Sequence, residues 1–200
     1  MQRRAFIVGL PLALAACSGQ AVWAPEADVQ RVVYRHDAPS SITLYTVKNV
    51  GSEAGAHTGL LINASQRVIF DPAGSFGHAS IPERNDVLFG ITPRIEQFYT
   101  SYHARTSYFM IKQTMLVAPE VAERALRLAM EYGPVAKANC TRATSDILKQ
   151  LPGFESLRIT FLPDNLERQF ARLPGVQTSE HREDDPDDNS GVLTAIGAQP

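Results

Sequence analysis

The sequence predicts an α+β fold, a small antiparallel sheet packed against helices. Alternating, β-branched segments cluster early in the chain, helical periodicity clusters later, and few β-α-β alternations connect the two blocks, which disfavours a parallel doubly wound sheet. The 200 residues, 44% hydrophobic and 20% charged with a formal net charge of −2, leave room for one sizeable core between short terminal extras.

Residues 1–16 have the layout of a signal peptide. Arg3 and Arg4 form a basic start, and the run from Ala5 to Ala16 carries no charge. Twelve helical residues reach about 18 Å, short of the roughly 30 Å of a bilayer core, so the segment is an address and not a span. Arg3-Arg4 ahead of Phe6 is similar to a twin-arginine export signal, although two arginines suit an ordinary secretory start equally. Leu14-Ala15-Ala16-Cys17 resembles the lipobox of bacterial lipoproteins, which implies that Cys17 is lipidated and becomes the new N-terminus. Acyl chains on Cys17 would hold the protein at a membrane facing the periplasm, and residues 17–38 are expected to be the tether.

The folded domain is expected over residues 39–174. Ser41–Val47 alternates apolar and polar side chains, the pattern of a half-buried strand. Ala56–Ile62 and Arg67–Phe70 form a predicted hairpin around the polar residues 63–66. Asp71–Asp86, with Pro72, Gly74, Gly77 and Pro82, is predicted as a long loop, and long loops in small domains are disproportionately functional. A short helix is predicted over Thr92–Tyr99, opening at Pro93, and a strand over Ser107–Leu116. Pro119–Tyr132 is amphipathic and stopped by Gly133-Pro134, which predicts a helix. A second helix is expected over Asn139–Leu151, a strand over Arg158–Leu162 and a last helix over Pro163–Leu173. Residues 175–200 hold an acidic run, Glu180 to Asp188, with few large apolar groups, and are expected to be disordered.

Cysteine usage narrows the chemistry. Two cysteines, Cys17 and Cys140, exclude a disulfide scaffold and a structural zinc finger. A sequence pI near 6.2 gives no broad nucleic-acid-binding surface. No metal-ligand cluster and no Gly-rich phosphate loop is evident, so neither metal nor organic cofactor is expected. With Cys17 lipidated, Cys140 is a lone thiol in an oxidising compartment, where an idle thiol is a liability.

Cys140 stands at the predicted start of a helix, where backbone N–H groups and the helix dipole favour a thiolate and suit an oxyanion. His57, at the mouth of an apolar strand with Gly59 close behind it, suits a general base. Asp71 is the first candidate to orient the imidazole. If the hairpin loop holds an odd number of residues, Asp71 faces Gly59 and lies diagonal to His57 on one face. Asp71-Pro72 equally suits a turn opening, and His78 and Asn63 are the other candidate orienters. His36 and His103 fall in a predicted tether and a predicted loop.

His57-Thr58-Gly59 on a strand, some eighty residues before Asn139-Cys140-Thr141-Arg142 and Asp146-Ile147-Leu148, resembles circularly permuted papain-like proteins of the NlpC-type superfamily. These include the lecithin:retinol acyltransferase-like group and a bacterial envelope family with an Asn-Cys-Thr-x-Arg cysteine motif. The resemblance covers roughly residues 40–150 and implies a His strand before a Cys helix. It also implies a cysteine hydrolase or acyltransferase acting on an amide or ester, of a peptidoglycan stem peptide or an acyl lipid. The chain departs from the acyltransferase-like group in lacking its second histidine on the next strand, where Ile69, Phe70 and Asp71 stand. The alternative is a non-catalytic envelope lipoprotein that uses the same scaffold for binding.

Overall fold

A computed structural model describes residue 19 and residues 21–197. The expected signal peptide and Cys17 lie outside the described residues. Among the described residues the fold is α+β, with one open seven-stranded antiparallel sheet and six helices. The strands are β1 (Ser41–Asn49), β2 (Gly55–Asn63), β3 (Arg67–Phe70), β4 (Glu83–Arg84), β5 (Val87–Leu88), β6 (Tyr108–Leu116) and β7 (Gln177–His181), in spatial order β4-β5-β3-β2-β1-β6-β7. The helices are α1 (Glu26–Val32), α2 (Pro93–His103), α3 (Pro119–Glu131), α4 (Cys140–Lys149), α5 (Pro163–Phe170) and α6 (Ser190–Gly197). None of them is long and apolar enough to cross a membrane.

Strand alternation builds two cores, one on each face of the sheet. Ile42, Leu44, Leu60, Ile62, Val68 and Phe70 point to the face covered by α3, α4 and α5. Tyr45, Val47, Leu61, Ile69, Leu88 and Met110 point to the other, under α2 and α6. Both faces are covered, which explains why the burial of β1 is continuous and not alternating.

α2 is pinned by charge as well as by apolar contact. Glu96 accepts from the Tyr45 hydroxyl at 2.8 Å and pairs with Arg67 and Lys112. Thr92 caps the helix N-terminus by accepting from Ile95 N–H at 3.2 Å. With Glu96 fixed, Tyr99 and His103 follow at the i+3 and i+7 positions of the same helix face.

Four expectations are corrected. The stretch expected as a tether contains α1, whose Val29 is buried in the first core, and Trp23 bridges to Arg84. The segment expected to be disordered contains β7, paired along β6 from Gln177 to His181, and α6, whose Ile196 is buried in the second core. The long loop at 71–86 contains β4. Residues 158–162 form no strand: Ile159, Phe161 and Leu162 are exposed, and backbone N–H groups there are taken by side chains, Arg158 N by Gln169 and Thr160 N by Ser145.

Candidate active site

The hairpin register brings His57 and Asp71 together. β2 pairs with β3 from Leu60↔Phe70 to Asn63↔Arg67, so the loop between them is residues 64–66, an odd number. Continued one step, that register sets Asp71 opposite Gly59, with His57 two residues back on the same face. His57 Nε2 lies 2.7 Å from Asp71 Oδ1, and the Tyr99 hydroxyl donates to the same oxygen at 2.8 Å. Gly59 is what makes room: a Cβ there would stand 2.7 Å from the Tyr99 hydroxyl.

β3 stops at Phe70, so the edge of β2 from Gly59 back to His57 is open on that side. The N-terminus of α4 fills the gap. The Cys140 thiol there feels the charge of the His57 ring and the dipole of the Thr58 backbone N–H, and its sulfur lies 3.8 Å from the Thr141 hydroxyl. Since Nε2 belongs to Asp71, Nδ1 is the ring nitrogen left for the thiol. The Thr58 hydroxyl lies 3.3 Å from those of Thr141 and Thr144, which locks β2 to the first turn of α4.

The loop that delivers Cys140 is set by backbone geometry and one carboxylate. Ala138 takes a left-handed conformation (φ 64°), uncommon for a residue with a Cβ. The Asn139 side chain does not cap α4 but donates to Lys137 O, so the first-turn N–H groups have no side-chain cap. Asp86 accepts from Val135 N–H at 2.7 Å and from Ala73 N–H at 3.0 Å, tying the cysteine loop to the segment that follows Asp71.

Electrostatics follow from this packing. Burial alone would favour a neutral His57, but the charge and hydrogen bond of Asp71, with Cys140 adding to them, raise its pKa to about 10. Burial would push the Cys140 thiol up; the hydrogen bond and charge of His57, then the Thr58 N–H and the Thr141 hydroxyl, bring it down to about 7. Burial also opposes ionisation of Asp71, yet His57, His103 and Tyr99 hold its carboxyl below the usual range. These shifts favour a thiolate beside an imidazolium and a carboxylate as pH rises through about 7.

Three neighbours escaped the sequence reading. His103 sits at the end of α2 and not in a loop, its ring parallel to that of His57 at a centroid distance of 5.7 Å. Its Nδ1–H donates to Tyr99 O at 2.8 Å, and burial first, with the His57 charge and against the pull of Asp71, lowers its pKa. Tyr99 and Thr58 are the other two. The remaining candidate orienters sit elsewhere: His78 is bound to Ser80, and Asn63 donates to Ala38 O and Pro39 O at the opposite end of β2.

His57, Asp71 and His103 each offer one ligand atom within 4.8 Å of the others, the spacing of a possible cation site. The Nε2 to Oδ1 hydrogen bond already joins two of them, so a cation there would have to displace the proton that holds His57. No protein-family model matches the chain, and no curated protein or solved structure matches it either.

Proposed function

We propose that the chain is a lipid-anchored, periplasm-facing cysteine hydrolase or acyltransferase of the cell envelope, on a permuted papain-like arrangement. It acts on an amide or ester of a peptidoglycan stem peptide or an acyl lipid. The observation that carries this reading is His57 hydrogen-bonded to the buried Asp71 carboxylate while its charge acts on the Cys140 thiol at the start of α4. The order of the chain, a His strand before a Cys helix, supports the permuted arrangement.

Attack of the Cys140 thiolate on the substrate carbonyl carbon forms the C–S bond and moves the carbonyl electron pair onto oxygen. The oxyanion is assigned to the N–H groups at the start of α4, and the absence of a side-chain cap among the described residues supports that assignment. The tetrahedral intermediate collapses to a thioester as His57 gives its proton to the departing amine or alcohol. Water or an acceptor nucleophile, deprotonated by His57, then attacks the thioester and restores the thiolate. Asp71 keeps its negative charge throughout and holds the imidazolium in place, and Tyr99 fixes Asp71.

The test is incubation of the purified protein with purified peptidoglycan and, separately, with diacyl lipids, followed by mass spectrometry. The expected result is a released product and an acyl adduct on Cys140. A bound ligand without product or adduct would instead support a binding lipoprotein.

A further inference from the structure

A cavity of about 320 Å³ opens beside His57 and is lined also by His103, Tyr102, Arg105 and Asp187. Arg105 is the feature that the thiol chemistry does not use. It lies two residues beyond the end of α2, fixed by Arg105 N–H donating to Tyr108 O at 2.8 Å and Tyr108 N–H donating to Arg105 O at 2.9 Å. The residue is only 7% exposed, and its Nε has no hydrogen-bond partner among the described residues. It makes a long ion pair, Nη1 to Asp185 Oδ2 at 3.3 Å, with a carboxylate whose side chain is 65% exposed.

A guanidinium offers five N–H donors in a planar fork, and a buried one whose Nε stays unpaired keeps hydrogen-bonding capacity that nearby carboxylate charge alone does not fill. The fork matches a carboxylate in a bidentate manner. The groups gathered around Arg105 in the free protein are themselves carboxylates: Asp185, Asp187, held by Ser107 N–H at 3.0 Å and the Ser107 hydroxyl at 2.6 Å, and Glu183 and Asp188, on whose carboxyls the Arg105 charge also acts. We infer that Arg105 is a specificity residue that binds a free carboxylate of the acyl donor in this cavity, exchanging the exposed Asp185 for it. The substrate class is then a carboxylate-bearing peptide and not a neutral acyl lipid. This inference rests on the reading of Cys140 as the nucleophile.

The test compares two thiol-alkylating reagents, N-bromoacetyl-alanine, with a free carboxylate, and N-bromoacetyl-alaninamide, without one. Adduct formation is read on the Cys140 peptide by mass spectrometry. Both reagents meet the same thiolate, so the neutral reagent's rate reports the dyad while the acid-to-amide ratio reports Arg105. The wild-type ratio is expected to exceed that of glutathione by about tenfold, the scale of one charge-assisted hydrogen bond. Arg105→Gln should bring the ratio down to that of glutathione, and Arg105→Lys should retain part of it. A wild-type ratio no greater than that of glutathione would overturn the inference. So would a ratio that survives Arg105→Gln, or a faster reaction with N-bromoacetyl-phosphoethanolamine, which would place a phosphate where the carboxylate is proposed.

Discussion

His57 Nε2 and Asp71 Oδ1 lie 2.7 Å apart across the open end of the β2–β3 hairpin, and Tyr99 holds the same oxygen from α2. The carboxylate is buried, which by itself costs several kcal/mol, and the imidazolium and the hydroxyl are what offset that cost. Because the cysteine meets the same imidazole, the state of Asp71 reaches the thiol through His57.

Asp71→Asn keeps the shape and removes the charge. His57 then loses the largest influence raising its pKa, fewer imidazolium ions face the thiol, and the thiol pKa climbs. Alkylation of Cys140 by iodoacetamide at neutral pH should fall by about two- to fivefold, the loss of thiolate being partly offset by the greater nucleophilicity of a more basic thiolate. An unchanged rate would separate Asp71 from the thiol.

Gly59→Ala should break the Tyr99–Asp71 contact, since the new methyl would stand 2.7 Å from the Tyr99 hydroxyl and 3.2 Å from Phe70 O. Urea unfolding is expected to show a loss of about 1–3 kcal/mol. Gly77→Ala, where nothing lies within 4 Å of the added carbon, is the neutral control.

The dependence of stability on pH follows from the signs of the two shifts. His57 is raised from 6.5 to about 10, so its stabilisation is complete below pH 6.5 and disappears as pH rises through 10. Asp71 is lowered from 3.8, so its share is present above that value and disappears as pH falls below it. The difference in unfolding free energy between wild type and Asp71→Asn should therefore be widest between pH 3.8 and 6.5 and shrink toward pH 10. Urea unfolding across that range measures it, and a gap that grows on the alkaline side would contradict the pairing.

Much of this site was legible because strand parity is rigid: once the hairpin loop is odd, Asp71 has only one face to occupy. His103 was not legible, because α2 continues one turn beyond Tyr99 and tertiary contacts, the charge cluster on Glu96 and the packing of Tyr99 in the second core, fix which way that turn faces. β7 gave no pattern to find. All but its last residue is exposed, and the strand is held to β6 by backbone pairing that polar side chains neither reveal nor oppose. The reverse error arose at residues 158–162, where Ile159 and Phe161 imitate strand alternation while both side chains stay in solvent and the backbone pairs with Gln169 and Ser145.

The central claim is a Cys140 thiolate held by His57, and the most direct measurement is a pH titration of thiolate ultraviolet absorbance. The full chain is titrated against its Cys140→Ser variant, so that the difference reports this thiol alone. The account predicts a midpoint near 7, and in His57→Ala a midpoint shifted upward, because burial is then opposed only by the Thr58 N–H and the Thr141 hydroxyl. A wild-type midpoint at or above 9.0, or one that His57→Ala leaves in place, would contradict it.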